Sequence, residues 1–390
     1  MDPNPLISDF EDVGPTVIED IFNPAFPLIS RSYTNVNLLY GPKHWDFKNW
    51  NPTFGEISRY RVKKRIGKGS YSEVYIGLQD SISPCAIKIL RPDNNDKIRR
   101  ELKILDIMST SENVVNFWDV TFDRHFGLIS IITEFCDNSD WMKAYRRMSI
   151  ADIRNYMYRL LDALKHAHSH GIMHRDVKPS SVLFSPKTKV VKLADWGFAE
   201  FYHPLRKYST RIGTKYYKSP ELLLGFGYYD YSIDIWAAGI MFVEMLTKNF
   251  NLFTINDDNE HLLDIAKLFG GKQLIDMIEK YQIKVNDGLF QKLNTIHGNG
   301  LTQLFSSLRN KSLDSYAIEL AVKMCKIDRK ERITAQEALN DPFFASFQYD
   351  YLEVPSSEQR LMDNQLCPPY ITFKNDANHN HPYVADETLL

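Results

Sequence analysis

The chain has 390 residues, 44% of them hydrophobic, and a formal net charge of -2 at neutral pH. This composition indicates a globular protein large enough for two lobes, and the balanced charge gives no reason to expect nucleic-acid or membrane binding. The cysteines lack the paired spacing of a zinc site or a disulfide framework, which fits a reducing compartment. They are Cys85, Cys136, Cys325 and Cys367.

The ends of the chain and its longest apolar stretch bear on location. Residues 1–15 are acidic rather than basic and then apolar, so no secretory signal is expected. The stretch at 236–246 is too short to span a bilayer and contains Glu244. The sequence therefore predicts a soluble protein of the cytoplasm, the nucleus or both.

Residues 1–29 are rich in Pro, Asp and Asn and predict a flexible extension. Residues 30–58 contain many aromatic side chains and are expected to pack on the body of the protein. The polar, proline-containing residues 349–390 predict a loose tail.

A small β-rich lobe is predicted over 59–136. Tyr60, Val62 and Ile66 alternate with basic residues as in a half-buried strand, which leads into a glycine-rich hairpin. Further strands are expected at 85–90, 114–122 and 126–134. A helix near 97–105 is expected to bury positions 98, 102 and 105.

A larger helical lobe is predicted over 137–348. Ser149 is a candidate N-cap for a helix with an apolar stripe from Ile153 to Leu164, which ends at Gly171. A second buried helix begins after Ser232. Thr334 and Glu337 have the spacing of a capping box.

Two carboxylates stand in adjacent turns of the larger lobe. Asp176 follows His and Arg, and Asp195 precedes Trp and Gly197, which is expected to let the chain turn sharply. Phosphoryl transfer uses one carboxylate to orient a hydroxyl and another to hold a metal ion on the phosphates. Lys178 could neutralise charge on the transferred group. Taken alone, Asp176 fits a turn-capping role better than a catalytic one, and Lys178 with Pro179 shifts the interpretation toward catalysis.

Lys88 lies among apolar residues of the third strand, where an unpaired cation would be costly. Glu101 on the next helix is its expected partner. The alternative is that Lys88 is solvated on an edge strand while Glu101 pairs with Lys97 at helical spacing.

The order of these motifs resembles the protein kinase family. Residues 213–221 resemble the segment that floors the peptide site, Glu221 and Arg332 resemble a buried ion pair of that family, and Asp234 resembles a brace of the catalytic loop. Within the family, the segments 71–74, 195–204, 229–234 and 33–37 are similar to catalytic alpha subunits of casein kinase 2. The resemblance covers about residues 30–347.

The resemblance implies an α+β, two-lobed kinase fold with ATP and Mg²⁺ as cofactors. Asp176 and Lys178 are the implied catalytic residues, and Asp195 is the implied metal ligand. Substrate-binding side chains would be Arg100, Arg211, Lys215 and Lys218. The implied ATP-binding residues are Ile66, Gly67, Lys68, Gly69, Ser70, Tyr71, Ser72, Glu73, Val74, Ala86, Lys88, Glu101, Glu134, Cys136 and Leu183.

Several positions depart from the resemblance. The residues at 93–96 replace most of a lysine run that reads acidic substrates, and the hinge at 134–136 differs from the usual residues, which puts GTP use in doubt. Ser180 stands in place of a histidine. Ser181 stands where kinases have an asparagine that binds the second metal ion.

Two functions follow from this departure. One is a serine/threonine kinase for acidic protein substrates, active without loop phosphorylation, in which Ser181 takes part in metal binding. The other is a pseudokinase scaffold with weak or no transfer. The resemblance also implies a regulatory beta subunit in a heterotetramer. Val62, Tyr75, Ile87 and Ile89 alternate on neighbouring strands and could present an outward apolar patch to it, or some of them could face the interior of the lobe.

Overall fold

The computed structural model describes residues 28–69, 71–91, 95–253, 257–298, 300–306 and 314–345. Most of the predicted extension, all of the predicted tail and Ser70 therefore lie outside the described residues. Both lobes belong to one compact unit that ends at Phe343. Within the described ranges, no helix is both long enough and apolar enough to cross a membrane.

The small lobe is a five-stranded antiparallel sheet in the order β1-β2-β3-β5-β4. The third strand is thus central, as the interpretation of Lys88 required. Alternation of side chains along this strand places Lys88 on one face and Ile87 on the other. The strands are β1 Tyr60–Lys68, β2 Ser72–Gln79, β3 Ser83–Leu90, β4 Phe117–Asp123 and β5 Leu128–Glu134.

The prediction that the first strand is half-buried is wrong. Most of β1 is exposed, with Val62 and Ile66 at 50% and 49% exposure. As the outer strand of the sheet it has a strand neighbour on one side only, so its alternating pattern does not place its apolar residues in the core.

The helix α3, Asn95–Met108, packs across the face of the sheet that carries Lys88. It buries Ile98, Leu102 and Leu105, as the periodicity predicted. The packing matters for the site because it also buries Glu101 on the same side.

The larger lobe is helical and carries two short antiparallel strand pairs among its described residues. Ser149 caps its longest helix through a capping box with Asp152, and Thr334 and Glu337 form the second predicted box. Its helices are α4 Trp141–Arg147, α5 Ile150–Ser169, α6 Pro220–Leu223, α7 Ser232–Thr247, α8 Asp258–Phe269, α9 Gly271–Lys280, α10 Asp287–Asn294, α11 Gly300–Ser306, α12 Ser315–Met324 and α13 Ala335–Leu339. Its strands are β6 Ile172–Met173, β7 Val182–Phe184, β8 Val191–Leu193 and β9 Glu200–Phe201.

Residues 30–58 lie against both lobes and include the helices α1, Val36–Tyr40, and α2, Pro42–Trp45. The Asn37 side chain donates to the carbonyls of Gly171 and Tyr202, each at 2.8 Å. Trp45 packs edge-on against His203. Ile29, in the predicted flexible extension, is fully buried.

Candidate active site

Lys88, Glu101 and Asp195 meet between the lobes. The Lys88 ammonium lies 2.7 Å from Glu101 Oε1 and 3.1 Å from Asp195 Oδ1, so the expected pair is present and Glu101 does not take the alternative partner Lys97. Burial alone would lower the pKa of Lys88, but the two carboxylates outweigh it and hold the pKa above its ordinary value. Lys88 is therefore a fixed cation at this position.

Asp195 is ionised and half open to solvent. The positive charge of Lys88 is the main cause that lowers its pKa, and 46% of the Asp195 side chain is exposed. One carboxylate oxygen is held by Lys88, which leaves the other oxygen to accept a further ligand.

The sharp turn beside this carboxylate is at Asp195 itself, and the prediction that Gly197 makes it is wrong. Asp195 has a φ of +62°, in the left-handed region, whereas Gly197 belongs to a short 3₁₀ turn, Trp196–Phe198, and has no positive φ. Gly197 is needed for space instead. A Cβ there would lie 3.3 Å from Glu101 Oε2.

The catalytic loop is held from below by Asp234, the second residue after the start of α7. Asp234 Oδ2 accepts the backbone N–H of His174, and Oδ1 accepts that of Arg175, both at 2.8 Å. Burial would raise the pKa of Asp234, but its bond with His168 and the backbone bond with His174 keep the pKa lowered. The expected bracing role of Asp234 is thus present in the geometry.

Asp176 is 4% exposed. Its Oδ1 accepts the Thr214 hydroxyl at 2.7 Å, and its Oδ2 accepts from Lys178 Nζ at 2.5 Å. Asp176, Lys178 and Thr214 therefore form one cluster, here called the acceptor cluster, where residues 195–221 (the activation segment) meet residues 174–181 (the catalytic loop).

Ser181 is 1% exposed, and its hydroxyl is directed into the catalytic loop. Its Oγ accepts the Lys178 N–H at 3.0 Å and lies 2.8 Å from the Lys178 carbonyl and 3.1 Å from the Asp176 carbonyl. These contacts leave Ser181 in a loop-holding position, and they do not support the expectation that it shares in metal binding.

The other residues expected to contact ATP differ in their exposure and contacts. The glycine-rich turn between β1 and β2 is closed by Gly69 N–H bonding to the Ser72 carbonyl at 2.8 Å. Glu134 is buried and paired with Lys192 at 2.7 Å. The partly exposed members of the set are Gly67, Ser72, Glu73, Val74, Ala86, Cys136 and Leu183, and the exposed ones are Ile66, Lys68, Gly69 and Tyr71.

Arg100 is bound inside the protein, which contradicts its expected role in substrate binding. Its guanidinium donates to Glu200 Oε2 at 2.7 Å, and Glu200 is 4% exposed. Arg175 Nε donates to the Phe198 carbonyl at 2.7 Å, and its terminal nitrogen lies 3.7 Å from Glu200. Two arginines thus fix the start of the activation segment through one carboxylate.

The other basic residues expected to bind a peptide substrate differ in their exposure. Arg211 and Lys215 are exposed, whereas Lys218 lies 3.3 Å from Asp258 and only 12% of its side chain is accessible. The floor of this region is fixed by the expected pair of Glu221 and Arg332, which are 2.7 Å apart and fully desolvated.

Three contributors to the site were not predicted from the sequence: Thr214, Glu200 and Asn37. All three carried a weak signal, since they belong to the segments 213–221, 195–204 and 33–37 that carry the family resemblance. The individual contacts of Glu200 and Asn37 had no signal of their own, because their partners are 100 to 165 positions away.

The site contains a central lysine paired with a glutamate on a helix, a carboxylate on a braced loop and a second carboxylate on a left-handed turn. Together these features define a nucleotide-dependent phosphotransferase with two lobes. The family model for the protein kinase domain matches residues 60–344. The chain therefore belongs to the protein kinase family, and the α+β fold predicted from its motifs is confirmed.

The family implies ATP and a divalent metal, and the described residues fit them in part. Lys88 offers a cation to phosphate oxygens, and Asp195 offers an ionised carboxylate oxygen to the hard cation Mg²⁺. The fit for a second metal ion is poor, because the Ser181 hydroxyl is turned into the loop.

Proposed function

We propose that the protein is a serine/threonine kinase similar to the casein kinase 2 alpha subunits, which transfers the γ-phosphoryl group of ATP to hydroxyls in acidic contexts. The observation that carries the proposal is the cluster of Asp176, Lys178 and Thr214 opposite the cluster of Lys88, Glu101 and Asp195. Phosphoryl transfer requires a cation at the phosphates, one carboxylate that orients the hydroxyl and another that holds a metal ion.

In this mechanism Asp176 orients the substrate hydroxyl and accepts its proton as the oxygen attacks. Lys178, which contacts Asp176 in the free protein, turns toward the transferred group and offsets its negative charge. Lys88 holds ATP phosphates while Glu101 holds Lys88. Asp195 would hold Mg²⁺, and the ion would supply positive charge to the phosphates of ATP.

We also propose that the enzyme needs no phosphorylation of its activation segment. Glu200 already gives Arg100 and Arg175 the anion that a phosphate would otherwise supply. Asn37 and Trp45 hold the same segment from the N-terminal side.

The preference for acidic substrates rests on Arg211 and Lys215, which are exposed beside the acceptor cluster. Arg100 and Lys218 are removed from this surface by their ion pairs, and the lysine run is largely absent. We therefore expect a weaker preference for acidic residues than a fuller basic surface would give.

A radiolabel assay tests the function. Purified, unphosphorylated protein is expected to label a serine peptide with acidic residues after the acceptor, and to label the same peptide with lysines there much less. Asp176→Asn is the matched control, since it keeps the shape and removes the base. Equal labelling of both peptides, or dependence on an upstream kinase, would contradict the proposal.

The second candidate is a scaffold without transfer, and Ser181 favours it. If the enzyme assignment is right, Ser181→Asn raises kcat by roughly ten- to a hundredfold, the effect of about 1–3 kcal/mol in the barrier. Undetectable turnover in both forms at every Mg²⁺ and Mn²⁺ concentration, with nucleotide still bound, would favour the scaffold.

A regulatory beta subunit is proposed to dock on the outer face of the small lobe, opposite Lys88. Val62 is half exposed, and Tyr75 and Ile89 are partly exposed over a cluster of Cys85, Ile87 and Ile132. Ile87 is only 3% exposed and drops out of the predicted contact surface, because the neighbouring side chains cover it. Co-purification that survives Ile89→Glu and Tyr75→Glu would count against this surface.

A further inference from the structure

The hydrogen bonds of Ser181 define what its hydroxyl can still do. A hydroxyl has one proton and two lone pairs. The proton goes to the carbonyl of Lys178 or Asp176, and one lone pair accepts the Lys178 N–H. The side chain is 1% exposed. Its bonding capacity is therefore largely used within the loop.

An asparagine at this position could perform two tasks at once. Its amide oxygen lies one bond further from the backbone than a serine oxygen, and its NH₂ group supplies separate donors. It could thus donate to the loop carbonyls while presenting an oxygen to a metal ion, as the catalytic-loop asparagine of kinases does. A serine hydroxyl cannot perform both tasks at once, and here it bonds to the loop.

No second carboxylate in the catalytic loop replaces the missing oxygen. Residues 174–181 are all described, and Asp176 carries the one carboxylate among them. Its Oδ1 is held by Thr214 and its Oδ2 by Lys178. Asp195 is the one other carboxylate in residues 174–197, all of which are described, and Lys88 contacts its Oδ1.

We propose that this kinase anchors a single metal ion, at Asp195, and that its second metal position lacks a protein ligand. Ser181 is on this view a positioning residue, which holds the loop that carries Asp176 and Lys178. The inference rests on the proposed function, because it assumes that the cleft binds a metal-nucleotide complex.

Manganese binding can be counted without any transfer. In the presence of a saturating, non-hydrolysable ATP analogue, electron paramagnetic resonance titration of the full chain should give one bound Mn²⁺ per protein. Ser181→Asn should give two. A second Mn²⁺ on the natural protein, bound within about threefold of its affinity in Ser181→Asn, would overturn the inference.

Ser181→Ala separates loop positioning from ligation. Its Mn²⁺ count should stay at one, while the melting temperature falls by about 2–4 °C because a buried hydrogen bond is lost. Loss of bound Mn²⁺ in this variant would show that the hydroxyl is a ligand and overturn the inference.

The count of bound Mn²⁺ tests the single-metal inference, and the transfer assay tests the enzyme assignment, so the two can be contradicted independently. One bound Mn²⁺ without transfer would leave the single-metal inference standing and remove the enzyme assignment. Transfer with two tightly bound Mn²⁺ ions would do the opposite. Absence of any nucleotide-dependent Mn²⁺ binding would overturn both.

Discussion

At the scale of single residues, the site depends on how closely Gly197 approaches Glu101. A methyl group at Gly197 would lie 3.3 Å from Glu101 Oε2, tighter than ordinary van der Waals contact. Glu101 would have to shift, and its bond to Lys88 with it. We expect Gly197→Ala to reduce kcat/KM about tenfold, a change of roughly 1.4 kcal/mol, in a steady-state assay.

Gly288→Ala is the matched control for this substitution. Gly288 lies in α10 with a nearest contact of 3.5 Å, so alanine fits there and should leave activity unchanged. A Gly197→Ala protein with the activity of Gly288→Ala would mean that the position of Glu101 does not matter for transfer.

The Lys88–Glu101 pair was predictable because the cost of a buried lysine demands a nearby acid, and the next helix supplies one. The left-handed Asp195 and the inward Ser181 were not, because both depend on how the loops close. Arg100 is a similar case. Its charge is visible in the sequence, but its partner Glu200 is 100 residues away.

At the scale of elements, α7 carries a buried acid in an otherwise apolar run. Glu244 is 4% exposed and accepts the Tyr217 hydroxyl at 3.1 Å. Burial raises its pKa from 4.5 to about 7, although the Tyr217 bond opposes the shift. The helix thus contributes a pH-dependent contact beneath the activation segment.

The sign of this effect follows from linkage. Between about pH 4.5 and 7 the folded protein binds more protons at Glu244 than the unfolded chain, so this contribution to stability falls as pH rises. The difference of about 2.5 pKa units corresponds to about 3 kcal/mol. Glu244→Gln should therefore gain stability relative to the natural protein as pH rises from 5 to 7.5, measured by urea unfolding. A gain that does not change with pH would contradict this account.

The N-terminal segment is the second element whose contribution can be tested. Asn37 is 2% exposed and satisfies two carbonyls, one at the end of α5 and one in the activation segment. Asn37→Ala removes the donor from both carbonyls. We expect a loss of about 1–3 kcal/mol in unfolding free energy together with lower kcat. Asn35→Ala is the control, since Asn35 makes no side-chain capping bond to α1. Equal effects of the two variants would argue against a special role for Asn37.

The segment also shows what sequence can and cannot supply at this scale. Its aromatic content indicated that residues 30–58 pack on the body, and Trp45 does contact His203. The bonds of Asn37 could not be inferred, because backbone carbonyls carry no residue identity. The exposure of β1 likewise depends on its place at the sheet edge, which its alternating pattern does not reveal.

At the scale of the whole molecule, the local charge near the proposed substrate site differs from the nearly balanced charge of the chain. Formal charge is nearly balanced over the chain, yet Arg211 and Lys215 are exposed beside the acceptor cluster and make no ion pair among the described residues. An acidic peptide should therefore be attracted locally, by an interaction that salt screens over about 10 Å at 0.1 M.

Replacing both residues by alanine tests this local attraction. The Arg211→Ala/Lys215→Ala protein should show a KM for an acidic peptide raised about tenfold at low salt, with kcat little changed, because Asp176 and Lys178 are untouched. The difference from the natural protein should shrink as ionic strength rises. Lys63→Ala/Lys64→Ala is the control, since it removes the same charge from exposed positions of β1 in the small lobe. A KM that rises equally in both variants would assign the effect to net charge and remove Arg211 and Lys215 from the substrate site.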